Sequence, residues 1–253
     1  MRTLSGEACH GVRQIVRFNW PFYAAASSLV LTAPLVAHHL PRTGAMRGVF
    51  LFATGLTAFW TIASLAASWL VYDRSPLMTG RWIPRALGYR PPVWISVHAG
   101  LDELSPVIRA LFGGTHGRVM DVFDPNEMTE PSIARARRRS PCSEGETVAC
   151  GRLPADSDSI DAVFLLLSAH ELRAHEGRCA LLGEVRRILR PGRRALIAEH
   201  LRDLPNVAAF GPGAWHFHSR RTWTRAFRDT GLAIADEFAV TPFVRVFVLE
   251  RPS

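Results

Sequence analysis

Residues 153–200 read LPADSDSIDAVFLLLSAHELRAHEGRCALLGEVRRILRPGRRALIAEH. Within this stretch, IDAVFLLLSA (160–169) is an almost continuous apolar run, as expected of a strand buried on both faces. EGRCALLGEVRRILRPG (176–192) has the spacing of an amphipathic helix that ends at a Pro-Gly pair, and RALIAEH (194–200) is a second strand. A strand, a helix and a further strand in this order predict a parallel β–α–β unit.

The same alternation continues on both sides of this unit. Upstream, strand-like and helix-like patterns take turns over the segments 93–99, 102–114, 118–124, 129–141 and 146–151. Downstream, one helix-like segment precedes two strand-like segments with no helix between them, 234–243 and 244–250. The chain from Val93 onward is therefore predicted to be α/β, with a doubly wound, mostly parallel sheet and an antiparallel edge strand.

Two uncharged apolar runs precede the α/β segment, WPFYAAASSLVLTAPLVA (20–37) and GVFLFATGLTAFWTIASLAASWLV (48–71). Each is about as long as the roughly 20 residues that a membrane-spanning helix needs. A signal peptide is the alternative for the first run, but that run lacks a small-residue cleavage site and a second apolar run follows it. We therefore predict an N-terminal transmembrane helical hairpin (1–72), an interfacial linker (73–92) and a soluble domain (93–253).

The chain has a formal net charge of +8, and all of its 30 basic side chains are arginines. Arginines flank the predicted hairpin on the side away from its turn: Arg13, Arg17, Arg74, Arg81, Arg85 and Arg90. By the positive-inside rule they predict the cytoplasmic (inner) membrane with the soluble domain facing the cytoplasm, although Arg42 and Arg47 in the turn oppose that orientation. No nucleic-acid-binding motif accompanies the charge, so the expected partner is the lipid bilayer and not nucleic acid. RARRRS (135–140) fits a solvated helix face near that bilayer.

Between Val93 and Pro252 the order of motifs resembles the class I, seven-strand S-adenosylmethionine-dependent methyltransferases. The resemblance rests on LPADSDSIDAVF, which matches the loop and start of the family's fourth strand, and on EVRRILRPG, which matches the end of the next helix. The paired final strands match the family's reversed edge strand. The resemblance implies a Rossmann-like fold, S-adenosylmethionine as the cofactor and a small-molecule methyl acceptor.

The resemblance also implies a cofactor site. His98 stands where the family has an acidic residue at the end of the first strand, and Gly100 is the one glycine kept in a turn that is usually glycine-rich. Asp124, after the second strand, is expected to bind the ribose hydroxyls, with Asp121 as the alternative. Leu153 of the Leu-Pro loop completes the predicted site, although the acid that usually precedes this loop is absent.

Polar residues follow the fourth and fifth strands, where ligands gather in open α/β sheets. His170 and His200 are predicted to be catalytic, because histidine titrates near neutral pH and either one could act as a general base. Glu171, His216 and His218 are predicted to line the substrate pocket. The last two histidines, with one of the other three residues, could complete a nitrogen and oxygen metal site, but the spacing does not require one and no metal ligand is assigned.

The sequence thus predicts a membrane-anchored S-adenosylmethionine-dependent methyltransferase that acts on a small, lipophilic metabolite. The two spans are explained either by a substrate that partitions into the membrane or by tethering to a membrane-bound partner enzyme. Two alternatives stay open, a methyltransferase-fold accessory or binding protein that does not methylate and a metal-dependent enzyme on the same scaffold. Convergence of the polar residues on one pocket would favour either kind of enzyme over a scaffold.

Overall fold

The computed structural model describes residues 10–41, 44–139 and 145–252, and a seven-stranded sheet forms its centre. The strands are β1 Val93–His98, β2 His116–Asp121, β3 Glu146–Thr147, β4 Ile160–Leu166, β5 Leu189–His200, β6 Ala233–Thr241 and β7 Val244–Glu250. Their order across the sheet is β3-β2-β1-β4-β5-β7-β6, and β7 alone runs in the direction opposite to the other six strands. The predicted mostly parallel sheet is confirmed, with the reversed strand inserted between β5 and the edge strand β6.

Helices cover both faces of the sheet and form the N-terminal region. They are α1 His10–Phe18, α2 Trp20–His39, α3 Ala45–Ser68, α4 Ile83–Leu87, α5 Ser105–Leu111, α6 Pro131–Arg139, α7 His175–Ile188, α8 Leu204–Phe210 and α9 Arg220–Asp229. A π-helical turn (Trp69–Arg74) extends α3, and 3-10 turns cover Ala169–Glu171 and Gly211–His216.

The apolar run of β4 is buried along its whole length because core lies on both sides of it. Val163 and Leu165 face the core under α7 and α9, whereas Ala162 and Phe164 face the core under α4 and α5. Successive side chains of a strand point to opposite faces, so a strand between two layers of helices must be apolar at nearly every position. Because of this constraint, β4 can be predicted from the sequence.

Residues 73–92, which the sequence assigns to an interfacial linker, also contribute to the hydrophobic core. Leu77, Ile83 and Leu87 are fully buried against the sheet. The Tyr89 hydroxyl donates to the Asp161 carbonyl oxygen at 2.6 Å and accepts from the Arg194 amide at 2.9 Å. The segment after α3 is therefore packed onto the domain.

The helices α2 and α3, together called the hairpin below, are long and apolar enough to cross a membrane, with mean hydropathy of 1.3 and 1.8. Core helices of soluble proteins also meet these criteria, but such helices are mostly buried. Here only 11% and 6% of the apolar windows are buried, and large side chains such as Phe22, Leu31 and Phe52 are exposed. Exposed apolar surface of this extent marks a site of contact with a membrane or with another protein.

One contact joins α1 to the end of the hairpin, and two further contacts join these helices to the α/β domain. The Asp73 carboxylate, just after α3, accepts hydrogen bonds from the first amides of α1 at 2.7 and 3.0 Å. The guanidinium of Arg135 in α6 donates to the carbonyl oxygen of Phe18, the last residue of α1. The indole of Trp60 in α3 packs directly on Gly211, where a Cβ atom would lie 2.4 Å from the ring. The hairpin is therefore fitted to the domain.

The packing of β1 on β2 leads to a stability prediction. A Cβ atom on Gly117 would lie 2.0 Å from the buried Trp94 indole, so Gly117→Ala must displace that ring and should lower the free energy of unfolding by about 1–3 kcal/mol. Gly183→Ala in α7 is the control, because nothing lies within 4 Å of its added Cβ. Alanine there should raise stability by about 0.5–1 kcal/mol. Equal effects of the two substitutions in denaturant unfolding would contradict this packing.

Candidate functional site

A cavity of about 950 Å³ lies at the carboxyl ends of β1, β4 and β5, between the domain and the hairpin. The domain contributes Ala99, Leu101, Glu103, His170, Glu171 and His200 to its wall. The hairpin and its extension contribute Phe22, Trp60, Thr61, Ser64 and Tyr72, among others. The position agrees with the general rule that ligands of open α/β sheets bind outside the carboxyl ends of the strands.

The floor of the cavity is organised by Glu199, the penultimate residue of β5, whose side chain has no solvent exposure. Its Oε1 accepts hydrogen bonds from three successive amides, those of Ser168, Ala169 and His170, at 3.1, 2.8 and 3.2 Å. Leu167 adopts a left-handed backbone (φ 57°), which turns the chain around this carboxylate. Successive amides that converge in this way form an anion-binding nest, and here the anion is the protein's own side chain.

Glu199 also orients His170. Its Oε2 lies 2.6 Å from His170 Nδ1, which leaves Nε2 of the ring directed at Glu171 Oε1, 3.5 Å away. Burial alone lowers the pKa of His170, but the charge of Glu199 and the hydrogen bond to it raise that pKa to about 9. In the absence of another cation His170 is therefore protonated at neutral pH, the form that donates a proton.

His216 completes a cluster with His170 and Glu171. Its Nε2 lies 3.8 Å from Glu171 Oε1 and its Nδ1 lies 3.4 Å from Glu130 Oε1. Burial, followed by the positive charge of His170, lowers the pKa of His216 to about 3, so this ring is neutral. Burial also raises the pKa of Glu171. The structure thus brings together three of the residues that the sequence placed at the pocket.

His200, the last residue of β5, lines the same cavity but is held in a different way. Its Nδ1 lies 3.2 Å from Asn206 Oδ1, and its ring stacks on Phe217 with centroids 4.8 Å apart. Burial lowers its pKa to about 4. The Asn206 amide nitrogen donates to Asp203 and to the Phe243 carbonyl oxygen, so its oxygen faces His200 and assigns the imidazole proton to Nδ1. His200 is a neutral and weak base.

His218 does not line the cavity. Its Nε2 lies 3.1 Å from both the Arg178 guanidinium and the Leu172 carbonyl oxygen, and its ring packs edge-on against Trp223. The sequence predicted that His216 and His218 both line the substrate pocket. His216 ends a 3-10 turn, and two residues later the ring of His218 points to different surroundings.

The turn after β1 keeps the predicted glycine but packs it against protein. Gly100 has a φ of +90°, and an added Cβ would lie 2.9 Å from Arg137 Cδ and 3.1 Å from the Phe123 ring. Arg137 lies over the Phe123 ring at 4.3 Å and pairs with the Asp121 carboxylate. The sequence predicted that the arginines of α6 form a solvated face. The side chain of Arg137 instead points inward and covers the predicted cofactor turn.

The strand-end carboxylate is Asp121, the alternative position, because β2 ends there and Asp124 lies three residues later. Asp121 is buried beside His98, whose Nδ1 lies 3.6 Å from Asp121 Oδ1, and burial lowers the pKa of that imidazole. Asp124 instead accepts hydrogen bonds from the amide and side chain of Asn126, as in an Asx turn. His98 therefore lies beneath the carboxylate, away from the cavity wall.

Leu153 is part of the hydrophobic core and lies outside the cavity wall. It is 1% exposed, its amide donates to Glu184 Oε2 at 2.8 Å, and its carbonyl oxygen accepts from Arg187 at 3.0 Å. Both backbone groups are therefore occupied by α7. In this structure Leu153 fixes the loop before β4 onto that helix.

Glu103 is a site residue that the sequence reasoning missed. It lines the cavity next to the β1 turn, and burial, followed by the charge of Asp102, raises its pKa to about 7. A carboxyl group whose pKa lies near 7 is suited to proton transfer at neutral pH. The available signal was an acidic pair, Asp102 and Glu103, which follows Gly100 and Leu101 in the turn after the first strand.

Comparison with known proteins finds the fold but no close relative. No protein-family model and no curated protein matches the sequence. A SAM-dependent methyltransferase from Aquifex aeolicus superposes with a TM-score of 0.52 at 16% identity, covering 71% of this chain and 94% of that one. A geranyl diphosphate methyltransferase, solved with GPP and sinefungin, gives 0.50 at 15% identity over 68% and 77%. The [4+2]-cyclase SpnF gives 0.50 at 13% identity over 72% and 82%.

These likenesses confirm the class I methyltransferase fold that the motif order indicated. At such identities they establish the fold alone, and a cyclase stands among the similar structures. The activity of this chain must therefore be argued from its own site.

The Glu199 network leads to a second stability prediction. Glu199→Ala leaves three buried amides and His170 without their acceptor and should lower the free energy of unfolding by about 3–5 kcal/mol. Glu146→Ala is the control, because that carboxylate is 51% exposed in its pair with Arg118 and should change stability by at most about 1 kcal/mol. Unfolding of the full chain in detergent, followed by circular dichroism, measures both. A loss in Glu199→Ala no larger than in the control would refute the role assigned to the network.

Proposed function

We propose that this chain is a membrane-anchored methyltransferase that transfers the methyl group of S-adenosylmethionine to a small, lipophilic acceptor. The observation that carries the proposal is the cavity itself, whose polar wall belongs to the methyltransferase-fold domain and whose other wall belongs to the hairpin. A ligand that fills it has one end at the strand termini and the other between apolar helices. An amphipathic molecule that dissolves in a bilayer matches both walls.

The hairpin wall favours an apolar ligand. Apart from Trp60, the α3 residues that line the cavity are small and recur at helical spacing, and they are Thr57, Thr61, Ser64 and Ser68. The hydroxyls of Thr57, Thr61 and Ser64 donate to carbonyl oxygens of their own helix at 2.9, 2.7 and 3.0 Å. Small side chains leave room beside the helix, and hydroxyls already bonded within it present carbon to a ligand.

The domain wall fits the methionine part of the cofactor. Ala99, Leu101 and Glu103 at the β1 turn line the cavity, so its volume reaches the place where the fold holds that part. The carboxyl groups of Glu103, Glu130 and Glu171 line the cavity together with two cations, the Arg173 guanidinium and the protonated His170. Glu199 neutralises His170 from outside the wall, so the acidic groups exceed the remaining positive charge and favour a cationic sulfonium. When bound, S-adenosylmethionine supplies an electrophilic methyl group.

The ribose part fits once Arg137 withdraws from Asp121. In the described conformation the Asp121 carboxylate is engaged by Arg137, and its Oδ1 also accepts from the Phe123 amide at 3.0 Å. The Arg137 side chain is 33% exposed and ends a flexible stem, so it can leave without unfolding α6. Asp121 is then free to accept hydrogen bonds from the ribose hydroxyls.

The chain's own residues supply positioning and proton transfer. Glu103 is assigned as the general base that takes a proton from an acceptor hydroxyl or acidic carbon, because it lines the cavity with a pKa near 7. Phe217 and Phe210 pack on His200 and exclude water from the floor beside it. His200 is assigned as a neutral hydrogen-bonding group that orients the acceptor.

Membrane anchoring is part of the proposal and is supported by the surface near the hairpin. Leu204 at the start of α8 and Trp215 in the following turn are 81% and 62% exposed. The same α8 region packs against Trp60, well inside the length of α3. This arrangement brings the cavity mouth close to lipid, so an acceptor can arrive laterally. The cytoplasmic orientation follows from the flanking arginines, and tethering to a membrane-bound partner enzyme is the competing reason for the hairpin.

Filling the hairpin wall tests the acceptor site. Ser64→Trp should lower methyl transfer by about ten- to a hundredfold because the indole occupies the cavity, while the calorimetric affinity for S-adenosylmethionine changes by less than about twofold. Ile62→Trp is the matched control, because Ile62 is 68% exposed on another face of α3. The assay follows tritium from methyl-labelled S-adenosylmethionine into solvent-extractable products, with full-length protein in vesicles of total bacterial lipid.

Two outcomes would count against the proposal. Absence of calorimetric heat with S-adenosylmethionine and folded protein would favour the accessory-protein alternative. Equal activity of the Ser64 and Ile62 variants would show that the acceptor does not bind at the hairpin wall. Tethering to a partner enzyme would then be the remaining reason for the anchor.

The assignment of Glu103 predicts the pH profile. Because its raised pKa leaves the carboxylate populated only above about pH 7, kcat/KM should rise with pH up to about 7 and then level off. Glu103→Gln should remove this rise and lower the rate by about 10²- to 10⁴-fold. Asp102→Asn keeps an acceptor for the Ser105 amide but removes the charge that helps to raise the Glu103 pKa, so its profile should shift to lower pH. An unchanged inflection in both variants would assign the titration to another group.

A further inference from the structure

The two histidines of the cavity cluster are arranged in the same way. Each one turns Nδ1 to a carboxylate outside the pair, His170 to Glu199 at 2.6 Å and His216 to Glu130 at 3.4 Å. Each one turns Nε2 to the same oxygen, Glu171 Oε1, at 3.5 and 3.8 Å. Two imidazoles and one carboxylate therefore converge on a single point.

An ion-pair network does not account for the position of the Glu171 carboxylate. Its side chain is 8% exposed, and its Oε2 has no hydrogen-bond partner among the residues that the structure describes. Its Oε1 contacts two imidazole nitrogens at distances too long for strong hydrogen bonds. A buried carboxylate oxygen without a partner is costly, and such groups in folded proteins usually have an ion or water to bind.

We propose that His170, Glu171 and His216 bind a divalent first-row transition-metal ion. The two Nε2–Oε1 separations, 3.5 and 3.8 Å, are close to the roughly 3.3–3.6 Å between ligands that surround one tetrahedral ion at about 2.0–2.2 Å. The three ligand atoms all lie within 4.8 Å of one another, so a small approach of the two imidazoles completes the site. Two histidines and one carboxylate with open positions match such ions, whereas Mg²⁺ and Ca²⁺ prefer oxygen ligands alone.

The surroundings supply what a metal site needs beyond its ligands. Histidine ligands commonly donate their second ring N–H to a carboxylate, which fixes the tautomer and the ring orientation. Glu199 takes this role for His170 at 2.6 Å, and Glu130 is the carboxylate placed to take it for His216, 3.4 Å from that ring's Nδ1. The edge-to-face contact of the two rings, with centroids 5.1 Å apart, keeps both Nε2 atoms near Glu171 without stacking the rings.

The proposed ion has its open positions toward the cavity, because all three ligand residues line the cavity wall. Water or an acceptor oxygen can bind there. Metal binding does not depend on the proposed methyl transfer, because Ala99, Leu101 and Glu103 belong to a different part of the wall. The two proposals can therefore fail separately.

The test is metal binding by the full-length chain in detergent without S-adenosylmethionine. Metal-free protein titrated with Co²⁺ should develop visible d–d absorption, and Zn²⁺ should compete for the site with a calorimetric stoichiometry of about one ion per chain. Glu171→Gln and His216→Gln should each weaken binding by more than the roughly 10- to 100-fold loss typical of outer-shell changes. Glu130→Gln should give a loss within that range.

His116→Gln is the matched control, because this exposed histidine lies at the opposite, amino-terminal end of the sheet and should leave affinity unchanged. Glu171→Gln preserves the shape of the side chain, and circular dichroism verifies the fold of every variant. Stoichiometric binding that is lost in both ligand variants supports the site. Absence of stoichiometric binding by the wild-type chain, or binding that persists in both folded variants, would overturn it and leave His170 as a cation between two carboxylates. Calorimetry of the metal-free protein with S-adenosylmethionine reports on the methyltransferase proposal independently.

Discussion

The burial of the Glu199 carboxylate at the end of β5 is the constraint on which the site depends. A carboxylate without solvent needs several hydrogen bonds, and three consecutive amides after β4 supply them together with His170. The left-handed turn at Leu167 makes this wrapping possible. One interaction therefore joins two neighbouring strands and sets the orientation of His170, and the same turn carries Glu171 to the cavity wall.

The hairpin is a structural component of the site in addition to being a candidate anchor. The domain alone offers an acidic, histidine-rich floor, and α3 adds a wall of small side chains above it. Asp73, Arg135 and Trp60 hold this wall in place through contacts with α1 and with the domain. The two walls differ in polarity, and this difference is the reason for proposing a lipophilic acceptor with one polar end.

The turn after β1, where the fold holds its cofactor, is poor in glycine and packs against protein side chains. Gly100 keeps its positive φ, but the space that a Cβ would take is occupied by Arg137 and Phe123. Arg137 in turn neutralises Asp121, a buried carboxylate that has His98 and the Phe123 amide as its other neighbours. The ion pair compensates the burial of the Asp121 charge in the absence of cofactor. It also means that Arg137 competes with any ligand hydroxyl for the Asp121 carboxylate.

The sequence by itself determined the sheet and the hairpin, because both follow from local periodicity. A strand buried on two faces must be apolar nearly throughout, as β4 is, and a helix apolar enough to cross a membrane must be long and almost free of charge, as α2 is and as α3 is after Arg47. Strand-end position also identified His170, Glu171, His200 and His216 as neighbours. Only the tertiary structure decided that β2 ends at Asp121 and not Asp124, and that His218 turns to Arg178. It alone also revealed Glu103 and Arg137 at the site. These outcomes depend on contacts between residues distant in the chain and on the depth of burial. Neither of these produces a periodic pattern of residues that could be recognised in the sequence.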